Sequence, residues 1–511
     1  MFYASHKHKM LAFIAGILTV FSYAPFNLWF VAPFAVATLF YVNQNVSAKS
    51  AARNGFFFGL GWFGAGISWV HVSIAQFGGL PLIASLLLML LLVSYLAAYP
   101  TLACWLTHKL SRTNSLSISY IAMFIPLFIL MEYLRGTLLT GFPWLSFGYT
   151  LTDSPFAKFA PWIGEMGLTA LVLLIAFALF SLVKKSIKPS LVASFIIAVA
   201  LISVQLSNPV SYRDKTIDVV LVQGNIKQEL RFAPENFWPT MAKYQDMTRP
   251  NWQADLIVWP EAAIPEIEVL VDDYLANLDK AAAFNNTALI TGILDYQLGT
   301  KTVYNNLIAV GKKNAEDTEG HYRYLHSNRY NKHQLLPIGE FVPFEELLRP
   351  IAPLFNLDHS SFTRGEAKQA NLMANGFNVL PAICYEIAFT DLVRGNYTTD
   401  SDLLFTVSND AWFGNSHGPH QHMQIARMRA LELGLPLVRV TNNGISGVYD
   451  PIEQQGHYLP QFEAAVERFQ VPLLTGNTFF SQFGNRSLYL FLLVSLVISL
   501  AVQYRSGLYR E

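Results

Sequence analysis

Seven apolar runs fill residues 10–206 and an eighth occupies 486–504, and no other feature limits so strongly what this chain can become. The segments are 10–25, 28–43, 55–75, 81–106, 117–137, 162–183, 190–206 and 486–504. Crossing a hydrocarbon core of ~30 Å takes about 20 mostly apolar residues in a helix. The sequence therefore predicts an α-helical membrane bundle of about eight transmembrane helices. The first two segments are short and joined by "APFN", where Pro25 and Asn27 favour a tight connection. No small-residue cleavage site precedes the second run, so the N-terminus does not read as a cleavable signal peptide.

The chain is only 14% charged, against about 25% in ordinary soluble proteins, and the deficit falls on the apolar runs. Residues between the last two runs instead show charges, turns and strand-like stretches. The expected organisation is seven transmembrane helices in 1–206, one aqueous α/β domain in 207–485, and a last helix with its tail in 486–511. Formal net charge is zero and no basic stripe is present, which argues against a nucleic-acid partner.

Loop charges predict the orientation. Lys7, His8 and Lys9, Lys49 and Arg53, Lys109 and Arg112, Lys184, Lys185 and Lys188, and Arg505 and Arg510 cluster at alternate connections. The intervening loops 24–28 and 74–82 carry no Lys or Arg. Lys/Arg excess marks the cytoplasmic side, so eight crossings put both termini in the cytoplasm and 207–485 on the opposite face, the periplasm of a bacterium. At membrane depth, Glu132 and Arg135 are spaced to pair on one helix face; the expected role is structural. "GFPWLSFGY", 141–149, is aromatic and Gly-rich and reads as an interfacial loop on the outer surface, with a border to a lipid entrance as the alternative.

Only two cysteines occur, Cys104 near the cytoplasmic end of the fourth run and Cys384 in the exported domain. They cannot meet. A lone cysteine in an oxidising compartment is either buried and inert or a reactive thiol.

Strand-like runs recur in the aqueous domain at 217–225, 255–261, 288–294, 305–310, 377–384, 402–410 and 435–442, with helical stretches at 266–284 and 419–433. That alternation predicts a sheet covered by helices, with functional groups just past the strand ends. "LIVWPEAAIP" ends a strand with Glu261; "YNKHQLLPIGEFVPF" carries Lys332 and Glu340; "LPAICYE" ends a strand with Cys384. A thiol is a weak nucleophile until it loses its proton. A carboxylate can take that proton, and an ammonium can stabilise an oxyanion. Each residue alone is a weak signal; the three together make an acyl-transfer centre.

In these motifs, with "QGNI" and "SNDAWFG", the chain resembles the nitrilase superfamily, and within it the membrane-embedded apolipoprotein N-acyltransferase family. The resemblance covers the whole chain. It implies an αββα sandwich facing the periplasm and a Glu261–Lys332–Cys384 triad: Cys384 the nucleophile, Glu261 the general base, Lys332 the oxyanion stabiliser. Glu340 would be a second essential carboxylate, Tyr385 and Glu386 would shape the pocket, and Phe232, Phe341, Asn409 and Trp412 are possible substrate-pocket residues. Phe232 stands where the family commonly has tryptophan, which keeps an aromatic face and loses an indole N–H.

The implied reaction moves the sn-1 acyl chain of a phospholipid, with phosphatidylethanolamine the expected donor, to Cys384 as a thioester. The chain then passes to the α-amino group of a diacylglyceryl-cysteine at an apolipoprotein N-terminus. No metal or cofactor is required, and the protein is expected to act as a monomer in the bacterial inner membrane. "FVPFEELLRPIAPLFNL", 341–357, reads either as a mobile lid or as an ordinary packed loop. His417, His420 and His422 have spacing that permits a metal site, but hydrogen-bonded positions near a helix start account for them better. Two rival functions remain at this point: a membrane-tethered amidase or nitrilase with water as acceptor, and a transporter or lipid-binding scaffold with an inactive domain. The eight-run scaffold disfavours the first and the complete triad the second.

Overall fold

The computed structural model describes residues 2–77, 79–111, 117–185, 187–205, 207–337, 339–341 and 362–505. The chain divides into two compact units, Met1–Asn208 with Gln482–Glu511, and Pro209–Ser481.

In the first unit, Leu82–Ser111, Ile118–Thr140, Pro155–Val183 and Arg486–Gln503 are long and apolar enough to cross a membrane. A fifth crossing results if Ala48–Gly66 and Val70–Gln76, bent by 60°, form one span. The remaining predicted segments also contain helix, but the helix Val31–Val42 has 12 residues, about 18 Å at 1.5 Å per residue, short of the hydrocarbon thickness.

The aromatic side chains of 141–149, expected in an interfacial loop, pack against protein. Trp144, Leu145, Phe147 and Tyr149 are buried inside this unit. Phe147 stacks on Trp62 with centroids 4.2 Å apart. Arg135, paired with Glu132 at 2.5 Å, donates to the carbonyl oxygens of Phe142 (2.5 Å) and Trp144 (2.6 Å), and Tyr23 donates to that of Leu145 at 2.6 Å. Buried irregular backbone needs such internal partners. The buried ion pair thus holds the backbone of the 141–149 loop.

The second unit holds two six-stranded sheets. The first runs β12-β1-β2-β3-β4-β5, with β1 Val210–Gln223, β2 Leu256–Val258, β3 Ala288–Gln297, β4 Thr302–Gly311, β5 Arg329–Asn331 and β12 Ala465–Gly476. The second runs β11-β10-β9-β8-β7-β6, with β6 Leu372–Ala374, β7 Phe377–Ile383, β8 Leu403–Ser408, β9 Leu437–Thr441, β10 Gly447–Asp450 and β11 Gln455–Tyr458. Each has a parallel centre, β1-β2-β3 and β7-β8-β9, flanked by antiparallel neighbours.

Strand alternation explains the layering. Ile217, Val219 and Leu221 point with Leu256, Val258, Ala288 and Ile290 into a core shared with Val379, Ile383, Phe405, Val407 and Val440 of the other sheet. The intervening Val220, Val222, Ile257 and Leu289 face Met241 and Tyr244 on the helix Phe237–Thr248 and Leu275 and Leu278 on the helix Asp272–Phe284. Both faces of these strands are buried, so they read as continuous apolar runs rather than alternating ones. The αββα sandwich follows.

Candidate active site

Sheet topology brings the chemistry together. Glu261 follows β2, Lys332 follows β5 and Cys384 follows β7, so two groups come from one sheet and the third from the other. Glu261 sits on a turn tight against β3: a Cβ on Gly292 would lie 2.2 Å from the Ala262 nitrogen. Ala262 has φ 43°. Arg231 donates to the carbonyl of Glu261, and to that of Ala262 at 2.8 Å and 3.2 Å, which pins this turn. Cys384 also has positive φ, 53°, a strained conformation for a residue with a Cβ. The turn it opens directs the thiol away from the strand, and Cys384 stays partly exposed while Cys104 is buried.

The two sheet ends meet in one hydrogen-bonded set. Glu261 Oε1 accepts from Asn305 Nδ2 at 2.7 Å and Lys332 Nζ at 3.3 Å; Oε2 accepts from the Asn409 backbone N–H at 2.8 Å. Lys332 Nζ lies 2.8 Å from Glu340 Oε1, which also accepts from Asn305 at 3.0 Å. Glu340 Oε2 takes the Leu336 N–H at 2.7 Å. Lys332 is 1% exposed, so its charge is carried by two carboxylates rather than by water. An ammonium has three donors; two are spent on these carboxylates, and among the described residues the third has no hydrogen-bond partner.

Electrostatics set the protonation states. Burial pushes the Glu261 carboxyl up, but the Lys332 ammonium, the Asn305 amide, the Arg231 guanidinium and the Asn409 N–H outweigh it and hold Glu261 below the usual carboxylate range. Burial likewise works against the Lys332 charge, and Glu340 and Glu261 overcome it, so the amine stays protonated well above its ordinary value. The Cys384 thiol is pushed up to about 12, first by burial and then by the Glu261 charge, against the opposing pull of Lys332. The resting site is thus a thiol, a carboxylate and an ammonium. The carboxylate takes the thiol proton during attack rather than before it.

Glu386 is fully buried and works through backbone. Its carboxylate accepts the N–H groups of His333 (2.6 Å), Gln334 (3.0 Å) and Ile383 (2.8 Å), tying the Lys332 loop to the strand end that carries Cys384. Burial raises its carboxyl despite these bonds. Tyr385 is buried edge-on against Phe389, centroids 5.0 Å apart. Phe232 is half exposed, with the Arg231 guanidinium 5.5 Å from its ring, and Phe341 packs under Arg364 at 4.7 Å. Asn409 places its side-chain amide 2.6 Å from Gln228 Oε1. Trp412 is half-buried in the turn Asp410–Phe413. Apart from Phe341, the segment 341–357 lies outside the described residues.

Asn305, Arg231, Ser408 and Arg439 were not legible in the sequence. Asn305 bridges both carboxylates from the middle of β4, where an asparagine signals nothing. Arg231 adjoins the noted aromatic position. Behind Cys384, Asp410 Oδ2 pairs with Arg439 at 3.0 Å and Ser408 Oγ lies 2.6 Å from Asp410 Oδ1. His422 Nε2 lies 3.1 Å from the Cys384 carbonyl oxygen and Nδ1 faces Arg439 Nη2 at 2.9 Å. Nδ1 also lies 3.1 Å from Asp410 Oδ1, so the ring touches the carbonyl, the guanidinium and the carboxylate at once. Burial and the Arg439 charge hold the His422 imidazole below its ordinary range, against the pull of Asp410. His422, near the start of the helix Gly418–Leu433, is thus a hydrogen-bonded residue, the reading preferred from the sequence, and it contacts the nucleophile's carbonyl.

Residues 15–178 match the family described as apolipoprotein N-acyltransferase N-terminal domain, and residues 219–480 match carbon-nitrogen hydrolase. The chain is 47% identical to the apolipoprotein N-acyltransferase of Photobacterium profundum over 98% of its own length and 96% of that protein. It is also 47% identical to that of Shewanella oneidensis, over 94% and 92% of the two chains. Among solved structures, Saccharomyces cerevisiae Nit3, a nitrilase-superfamily member, aligns at 16% identity and TM-score 0.37 over 52% of this chain and 92% of that one.

Proposed function

The chain belongs to the apolipoprotein N-acyltransferase family, and from that premise we propose that it acylates lipoprotein N-termini by a two-step transfer through a thioester on Cys384. The observation that carries the reading is the placement of Glu261 and Lys332, joined through Asn305 and Glu340, in the electrostatic field of a partly exposed, strained Cys384.

In the first half-reaction Cys384 Sγ attacks the ester carbonyl of a phospholipid acyl chain while its proton passes to Glu261. The remaining N–H of Lys332 donates to the oxyanion. Collapse breaks the ester C–O bond, and the departing alkoxide recovers the proton from Glu261, leaving a lysophospholipid and a thioester. In the second half-reaction the neutral α-amino group of the diacylglyceryl-cysteine attacks, Glu261 removes a proton from it, and the C–S bond breaks. The thiolate is reprotonated and the amide product leaves. Phosphatidylethanolamine, with its sn-1 chain, is the proposed donor. Glu340 keeps Lys332 charged and oriented, Glu386 holds the loops of Lys332 and Cys384 in register, and Phe232, Phe341, Asn409 and Trp412 border the substrates.

Eight crossings, with this domain on the periplasmic face of the inner membrane, complete the reading. The loop-charge bias supports it, as does the lipid nature of both substrates, since each methylene drawn from apolar surroundings costs roughly 0.8 kcal/mol. Product analysis separates transfer from hydrolysis. With phosphatidylethanolamine and a diacylated lipopeptide, the expected products are triacylated lipopeptide and lysophospholipid in equal amounts. Free fatty acid in place of the amide, at the same rate with or without lipopeptide, would make the protein a hydrolase.

A further inference from the structure

The hydroxyl of Ser408 lies between the nucleophile and a buried anion, with one proton for two neighbours. Ser408 Oγ is 3.2 Å from Cys384 Sγ and 2.6 Å from Asp410 Oδ1. A serine hydroxyl donates once and accepts through its lone pairs. While Cys384 is a thiol, the short contact to a carboxylate takes the serine proton, and the neutral sulfur has little need of it. When the thiol proton leaves, the sulfur becomes an anion in need of a donor. Rotation about the Ser408 Cβ–Oγ bond is the only movement required. Asp410 tolerates the change because Arg439 Nη2 still holds its other oxygen at 3.0 Å. Ser408, Asp410, His422 and Arg439 are all buried, so the exchange is shielded from bulk solvent.

We propose that Ser408 is a catalytic hydrogen-bond donor to the Cys384 thiolate, its hydroxyl turning from Asp410 to sulfur as the thiol proton passes to Glu261. Ser408 loses no proton; only the direction of its hydrogen bond changes. The same donor serves the second half-reaction, when the thiolate is expelled from the tetrahedral intermediate. The charged groups facing the sulfur are Glu261, Lys332 and Asp410, with Arg231 behind Glu261. Glu261 and Asp410 oppose the thiolate and Lys332 favours it. Asp410 thus disfavours the anion by its charge while, with Arg439 and His422, it positions the donor that stabilises it. The cluster was visible in the sequence only as scattered pieces of "SNDAWFG", "PHQHM" and "LVRVT".

The inference rests on the acyl-transfer reading of Cys384, but its test needs no acyl donor. The rate at which iodoacetamide modifies Cys384 is followed from pH 7 to 10 in the full-length protein in detergent, with peptide mass mapping to separate Cys384 from Cys104. Below the thiol midpoint that rate follows the thiolate fraction. A hydrogen bond to a charged group shifts the equilibrium about ten- to hundredfold, and the gain in intrinsic nucleophilicity of a more basic sulfur returns roughly half of this on a logarithmic scale. Ser408→Ala is therefore expected to slow modification about three- to tenfold at every pH in this range, and Ser408→Thr, which keeps the hydroxyl, to stay within about twofold of the parent. Should the alanine variant not fold, Ser408→Gly is read the same way. Parent-like rates in a folded Ser408→Ala or Ser408→Gly protein overturn the proposal, as does a threonine variant as slow as alanine. A failure of Cys384 to carry an acyl chain would overturn the acyl-transfer reading and leave this result standing.

Discussion

Cys384→Ala is expected to lower acyl transfer roughly 10^4- to 10^6-fold, the range seen when the nucleophile of a cooperating catalytic group is removed, while the protein still folds and inserts. The loss follows from geometry. Glu261 and Lys332 hold a proton acceptor and an oxyanion donor in place, but neither can form the covalent intermediate. Folding survives because the substitution deletes a single sulfur atom from a residue that is only partly buried. Alanine accepts the same positive φ at a strain similar to that of cysteine, so the stability cost stays near the ordinary ~1 kcal/mol of a point substitution. Transfer assays and thermal melting of the purified variant check the two halves. Appreciable transfer by a folded Cys384→Ala protein would remove the thiol from the mechanism.

Lys332→Met is expected to damage both activity and stability, and the two effects share a cause. Without the ammonium, Glu261 and Glu340, both buried, face each other through Asn305 with no cation between them. Breaking a buried charge set by removing one partner costs about 3–5 kcal/mol, which should appear as a clear fall in melting temperature. Turnover should fall at least 10^2- to 10^3-fold through loss of the oxyanion donor alone. The pH dependence carries a specific sign. In the parent, Lys332 is the largest influence holding Glu261 below the usual carboxylate range. That carboxylate contributes stability above its unfolded value of about 4.3, and the contribution disappears as pH falls through the lower folded value. In Lys332→Met burial prevails, the Glu261 carboxyl moves up, and both residual activity and stability fade at higher pH than in the parent. Glu340→Gln leaves the lysine with one anion and should move the acid limb much less. An unchanged acid limb in a folded Lys332→Met protein would mean that Glu261 does not depend on this lysine.

The parts of this arrangement that were legible in the sequence share a local signature. The core strands announced themselves because burial on both faces makes each a short apolar run, as in "IDVVLV" and "DLLFTV". Glu261, Lys332 and Cys384 stood out as chemical groups just after such runs. What stayed hidden depends on partners far away in the chain. Strand β12 pairs with β1 although the two lie some 250 positions apart, and its exposed Glu467 and Arg468 break up any apolar run. Strands β5 and β6 are three residues each, too short for periodicity. Arg439 sits inside an apolar strand, where its charge is acceptable only because Asp410 meets it. The 141–149 loop shows the same limit in the membrane unit, since its burial depends on Arg135 capping the carbonyls of Phe142 and Trp144.

Intact-mass measurement of the full-length protein mixed with phosphatidylethanolamine alone tests the thioester most directly. The account predicts one acyl chain added to the protein, mapped to Cys384, absent from Cys384→Ala, and released when a diacylated lipopeptide is added. Triacylated lipopeptide formed at full rate with no protein-bound acyl chain at any time, or an acyl chain still attached to Cys384→Ala, would contradict it.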